Sequence, residues 1–159
     1  MRKIIFRGKR LDTGEWVEGA YCKHDTVKVC FTADDPKTKH LIIMDGFCDW
    51  GFEPPLQGVE VDPATVGQCT GLKDKNGKWI FEGDMLKPFD DEIDKMMVEF
   101  HNGSFLLCLY GERGYMGEGG WVEEGNYGVI ECEPLSSYGD DVEVIGNIHD
   151  NPELQEATT

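Results

Sequence analysis

No apolar run in the sequence reaches membrane-spanning length, which excludes a helical crossing of a bilayer, for which about 20 consecutive apolar residues are needed. The opening MRKIIFRGKR is basic but has no continuous apolar centre, so it does not read as a secretory leader. Close-spaced metal and redox motifs are missing too. The six cysteines, Cys22, Cys30, Cys48, Cys69, Cys108 and Cys132, never form CxxC, and the one close Cys/His pair, Cys22-x-His24, is a poor start for a zinc site. Cys30 in VKVCF and Cys108 in FLLCLY lie within apolar alternation, where a free thiol packs as a small hydrophobe. The expectation is free cysteines, no structural metal, no cofactor, and a reducing cytoplasmic setting.

Positive charge is scarce. Fifteen Lys/Arg stand against 31 Asp/Glu, a formal net charge of −16. The imbalance is also uneven: residues 1–40 hold nine Lys/Arg and six Asp/Glu, whereas residues 41–159 hold six and 25. A field of that sign repels phosphate backbones and favours basic partners, while also keeping a small protein in solution. Recognisable catalytic signatures are absent as well, with no G-x-S-x-G, P-loop, HExxH or dinucleotide fingerprint. The acidic run Asp90, Asp91, Glu92 and Asp94 lacks the glycine-turned spacing of a calcium loop.

What the chain does have is turns. Twenty glycines, 40% apolar residues and 11% aromatics fit a packed, mainly β protein. Asp12-Thr13-Gly14 breaks two β-prone runs, 2–10 and 15–22, into a hairpin. Strands are expected at 26–32 and 40–44. Residues 45–58, with Pro-Pro and the aromatics Trp50 and Phe52, read as an ordered loop. Asp62-Pro63 caps a helical turn, since the carboxylate accepts free N–H groups and proline at the first position loses no bond.

The stretch TGLKDKNGKWIFEGDML, residues 70–86, holds two reversals. Asn76-Gly77 predicts a type I′ hairpin between strands 68–73 and 78–81, leaving Lys73, Lys75 and Lys78 as solvent charges around its tip. Gly83-Asp84 takes the next corner, glycine for the sharp bend and aspartate to bond the turn's backbone. Asn102-Gly103 predicts a third hairpin between 96–100 and 104–110. Residues 111–128 hold seven glycines, too many for a regular element, and are expected to form a mobile or partner-ordered loop carrying Tyr115, Trp121 and Tyr127. A last strand at 142–148 leads to a short C-terminal helix capped by Asn151, with Pro152 at its first position and Glu153 in its first turn.

IIFRGKRLDTGEWVEG, VDPATVGQCTGLKDKNGKWIFEGDML, VEFHNGSF and EVIGNIHDNPEL, in that order along the chain, resemble the YopX-like proteins of phages and prophages of low-GC Gram-positive bacteria. The resemblance implies a mainly β protein whose C-terminal part is similar to an SH3-type small barrel. The expected organisation is an N-terminal β-hairpin region at 1–58, the barrel at 59–154 with the short helix at its end, and a tail at 155–159. It implies no catalytic residue, cofactor or substrate, and small barrels host many unrelated functions.

His24, His40, His101 and His149 have the chemistry for acid–base work, yet a histidine beside Asn-Gly reads as a surface residue, and Asp84 as a turn residue. An enzyme is not expected. Direct nucleic-acid binding has the basic N-terminal residues Arg2, Lys3, Arg7, Lys9 and Arg10 in its favour and the total charge against it; an acidic fold imitating DNA is the narrower variant. The favoured reading is a non-enzymatic module that binds a phage or host protein, or its own copies as a homo-oligomer, through Trp50, Phe52, Tyr115, Trp121 and Tyr127. The alternative for those aromatics is core packing.

Overall fold

The structure, a computed structural model, describes residues 4–25, 38–45, 56–88, 95–117, 120–138 and 141–154, and between 110 and 131 it describes the main chain alone. Among these residues the chain is antiparallel β throughout, with three short 3-10 turns and no α-helix. Among the described residues no helix is long and apolar enough to cross a membrane. The chain divides into two compact units, residues 1–69 and 70–159.

In the first unit, β1 (Phe6–Lys9) and β2 (Trp16–Asp25) form the expected hairpin, pairing Lys9 with Trp16. Its turn closes through the Gly14 N–H to the Arg10 carbonyl at 3.0 Å. The Arg10 guanidinium donates to both oxygens of Asp12, at 2.8 and 2.7 Å, and this hydrogen bonding holds the Asp12 carboxyl down at about 2. β2 continues past the expected end and pairs with β3 (Thr38–Asp45), which pairs in turn with β4 (Leu56–Glu60). The strand expected at 26–32 lies outside the described residues. So does most of the expected loop at 45–58, whose last three positions belong to β4.

The Asp62 N–H donates to the Lys9 carbonyl at 2.8 Å and the Leu11 N–H to the Glu60 carbonyl at 3.1 Å, so the end of β4 returns to the end of β1. Ile42, Val59, Val61 and Cys69 are buried inside this arrangement. The predicted turn after Asp62 is present as a 3-10 turn, Pro63–Thr65, with the Ala64 N–H donating to Asp62 Oδ1 at 3.0 Å.

The second unit begins partway along β5 (Gly67–Lys73), whose first residues pair with β1. β5 turns into β6 (Trp79–Phe81), and β7 (Asp84–Pro88), β8 (Met96–His101), β9 (Ser104–Gly117), β10 (Gly120–Pro134) and β11 (Val142–Asn147) make a five-stranded sheet in the order β10-β9-β8-β7-β11. Ile80, Leu86, Met96, Val98, Leu107, Leu135 and Val142 form one buried cluster, with Leu72, Phe105, Leu109, Tyr138 and Val144 packed against it. Alternation explains the set, since Met96 and Val98 on β8 are buried while Met97 and Glu99, which alternate with them, are partly exposed.

The two Asn-Gly dipeptides make different turns. At Asn102-Gly103 both residues take positive φ, 50° and 84°, and His101 pairs with Ser104, the predicted two-residue type I′ loop. At Asn76-Gly77 only glycine does, with φ of 81°. The Gly77 N–H donates to the Asp74 carbonyl and the Asp74 N–H to the Lys78 carbonyl, both at 2.9 Å, which makes a three-residue loop with a left-handed glycine in place of type I′. Asp74 is the reason: its Oδ1 accepts from the Asn76 and Lys78 N–H groups at 2.9 and 2.8 Å. A Cβ at Gly77 would meet nothing within 4 Å, so the cost of a side chain there is conformational alone. Gly77→Val is expected to destabilise the protein by about 2 kcal/mol, read as a drop in thermal midpoint; an unchanged midpoint would show that the loop does not need a left-handed residue.

Gly83-Asp84 behaves as expected. Gly83 has φ of 80°, and buried Asp84 accepts from the Phe81 N–H at 2.8 Å. Three expectations need correction. Residues 111–117 and 120–128 are not a loop, because they pair with one another as parts of β9 and β10. Cys108 is not free but bonded to Cys132, while Cys69 is a buried free thiol and Cys22 an exposed one; Cys30 and Cys48 lie outside the described residues. The C-terminal helix is a single 3-10 turn, Pro152–Leu154, and Asn151 Oδ1 accepts from the Asn147 N–H at 3.4 Å instead of capping it.

Candidate interaction surface

β8 ends at His101, and Cys108 is the last β9 residue paired with it, opposite Met97. From Leu109 to Gly117, among the described residues, β9 is held by β10 alone, a length of about 30 Å at the usual strand rise. Beyond Cys108 the second unit therefore extends a two-stranded ribbon. Its base is fixed covalently. Cys108 and Cys132 face each other across the two strands with Cα atoms 4.2 Å apart and sulfurs bonded, at the point where the ribbon leaves the sheet.

The glycines that argue against regular structure are absorbed by pairing. Gly111 stands opposite Gly128, Gly114 opposite Glu123 and Gly117 opposite Gly120, so these five are held through their backbone, whereas Gly125 falls in an irregular part of the ladder and Gly119 lies outside the described residues. The ladder is irregular in two places. Between Glu123 and Tyr127, three residues of β10 face one of β9, and between Val129 and Glu131 Ile130 is extra. Such bulges twist a strand and interrupt its edge.

The sequence-predicted contact residues fall as follows. Tyr115, Trp121 and Tyr127 are all on the ribbon, at register positions opposite Val122, Met116 and Glu112. Trp50 and Phe52 lie outside the described residues, so the structure does not bring the two groups together. Sequence reasoning missed Phe100, an exposed aromatic on β8 whose ring meets that of Phe105 in a tilted contact, centroids 5.0 Å apart. It flanks the Asn102-Gly103 turn, where His101 is also exposed and contacts Glu99 through its ring nitrogen.

The two outer edges of the sheet are unlike. β11 is capped by the β5–β6 turn: the Lys75 N–H donates to the Val142 carbonyl at 2.9 Å, and the Val144 N–H to Asp74 Oδ2 at 3.2 Å. Lys75 adds an ion pair with Glu143 at 2.7 Å. Burial raises the Asp74 carboxyl, but the backbone hydrogen bonds from Val144, Lys78 and Asn76 outweigh it and hold the group below its ordinary value. The hydrogen bond from Lys75 lowers Glu143 in the same way. β10 is the opposite edge, and among the described residues no strand pairs with its outer side.

Lys73, Lys75 and Lys78 are all exposed at the turn, as expected, and two of them also meet a side chain of the protein. Lys73 lies 4.6 Å over the Trp79 ring and Lys75 meets Glu143. In the first unit Arg7 and Lys9 lie over Trp16 at 4.8 and 5.4 Å, Arg10 pairs with Asp12 and Lys39 with Glu60. Among the described residues no three His, Cys, Asp or Glu side chains converge as metal ligands.

A family model described as YopX protein matches residues 5–156. Among solved structures, protein EF1440 from Enterococcus faecalis is similar, with 23% identity over 98% of this chain and 100% of that one, and a TM-score of 0.37. No curated protein matches the chain.

Proposed function

The chain belongs to the YopX protein family, and from that premise we propose that it is a non-catalytic accessory protein of a phage or prophage that binds another protein through the β9–β10 ribbon. One observation carries the reading: the ribbon runs beyond its last neighbouring strand, and among the described residues the outer side of β10 is unpaired along its whole length. A two-stranded ribbon is marginal in water by itself. A partner strand or surface supplies what the sheet does not. Tyr115, Trp121 and Tyr127 are its candidate anchors, since aromatic residues dominate the energetics of protein interfaces.

A protein partner is favoured over nucleic acid by where the cations go. Lys73, Lys75, Arg7, Lys9, Arg10 and Lys39 are each committed to an aromatic ring or a carboxylate of the chain itself, and phosphate affinity depends on cations that can displace counterions. The SH3-type barrel is part of the same reading for the second unit, supported by the tightly spaced turns at 74–77 and 82–83 and by Leu72 and Ile80 packing on the core of the five-stranded sheet.

The test is to shorten the ribbon. Tyr110 pairs with Val129, so replacing residues 111–128 by Asn-Gly joins them through a two-residue turn and keeps Cys108 opposite Cys132. Copurification from a bacterial lysate and light scattering after size exclusion then compare the two proteins. The shortened chain is expected to fold and to lose whatever partner or self-association the full chain shows. A shortened chain that keeps the same partner would overturn the proposal.

A further inference from the structure

We propose that the outer edge of β10 is the docking site for an extended, Lys/Arg-rich segment of a partner protein, which adds to the sheet as a further strand. This rests on the reading of the ribbon as the contact element and goes on to name the chemistry of what it contacts. Of the two sheet edges, β11 is occupied by the β5–β6 turn, which takes up the Val142 carbonyl and the Val144 N–H, whereas among the described residues β10 has no strand beyond it. Main-chain groups along such an edge recruit an extended peptide irrespective of its sequence.

The selectivity comes from charge. Residues 120–134 carry Glu123, Glu124, Glu131 and Glu133 and no Lys, Arg or His. The same charges argue against a second copy as the occupant. Two β10 strands laid side by side would bring together glutamates with no cation among them, and like charges opposite one another weaken a strand pair. A strand with lysine or arginine at alternate positions is complementary, because Glu131 and Glu133 recur at the two-residue spacing on which its cations recur. The bulges at 124–126 and 130 divide the edge, leaving Gly120–Glu123, Tyr127–Val129 and Glu131–Pro134 in regular register. The occupant is therefore met by short regular stretches, with charge holding it between them.

Fluorescence anisotropy with the full chain tests this, using three labelled peptides of about ten residues, the length that runs along most of such an edge. The first alternates Lys with Thr. The second keeps the lysines but replaces alternate threonines by proline, which removes N–H donors. The third alternates Glu with Thr. The Lys/Thr peptide is expected to bind, the proline peptide at least tenfold more weakly, and the Glu/Thr peptide not at all. Glu131→Lys/Glu133→Lys is expected to weaken the Lys/Thr peptide by at least tenfold, with circular dichroism confirming the fold.

Equal binding of the lysine and proline peptides would reduce the contact to charge without strand addition and overturn the proposal. Failure of all three to bind would overturn it as well, as would a ribbon-dependent dimer that excludes them. The two readings fail separately. If the shortened chain loses its partner while no peptide binds the full chain, the ribbon remains the contact element and only this assignment of its occupant falls.

Discussion

Cys132→Ser is expected to lower the stability of the protein by about 3.5 kcal/mol, the chain-entropy value for a cross-link of this span, Cys108 and Cys132 being separated by 24 positions. The bond sits where β9 parts from β8, so its loss falls first on the ribbon and then on Leu107 and Leu135, which flank the cysteines in the core cluster. Urea unfolding with and without dithiothreitol reads the effect. The wild type should lose this stability in reductant, and the variant should be insensitive to it. If reductant leaves the wild type unchanged, the cross-link contributes nothing or does not form.

The second large effect is at Asp74. Its carboxylate, buried at 4% exposure, serves three backbone N–H groups, Asn76, Lys78 and Val144, and so joins the β5–β6 turn to β11. Asp74→Ala leaves all three donors without that acceptor. Hydrogen bonds to a charged group contribute roughly 1.5–3 kcal/mol each when removal strands a partner, though not additively, and a loss of about 3 kcal/mol is expected, seen as a fall in thermal midpoint of ~10 °C.

The pH dependence has a definite sign. Burial pushes the Asp74 carboxyl up and the three backbone donors more than offset it, leaving it below 3.8 in the folded protein. A depressed carboxyl stabilises the fold above its unfolded value and ceases to do so as the pH falls through the folded one. The gap between wild type and Asp74→Ala should thus be full at neutral pH and close as the pH drops below 3.8. A gap that persists unchanged in acid would mean that the carboxylate's charge has no part in the clamp.

How much of this was legible in the sequence follows from how local each signal is. Turns are local, and Asn102-Gly103, Gly83-Asp84 and Asp62-Pro63 are where glycine, asparagine and a capping aspartate put them. Asn76-Gly77 was located but given the wrong geometry, because Asp74 four residues before Lys78 offers its side chain to the loop and stabilises the longer form. That competitor was visible and was outweighed by the dipeptide.

The disulfide was not legible. A hairpin without bulges, started from Met116 opposite Trp121, would place Cys108 opposite Val129; between that pair and Cys108/Cys132, β9 advances eight residues and β10 eleven. The extra residues are a tertiary fact that no spacing rule contains. The ribbon itself was hidden by its glycines, whose low strand propensity is overridden when both partners are held across a ladder. Trp121 and Tyr127 were picked out by chemical type, and the structure places them on β10, the edge of the five-stranded sheet with no outer partner among the described residues, and Tyr115 beside them on β9.

The most direct measurement is residue-resolved amide hydrogen exchange along β10 in the free protein. An edge strand paired on one side only has amides that alternate, slow where they point to β9 and fast where they point outward. That alternation is the result expected along Gly120–Glu123 and Tyr127–Val129. Uniformly fast exchange from 111 to 128 would show that no ribbon exists, and uniformly slow exchange along β10 would show that its outer edge is already covered; either result contradicts the account.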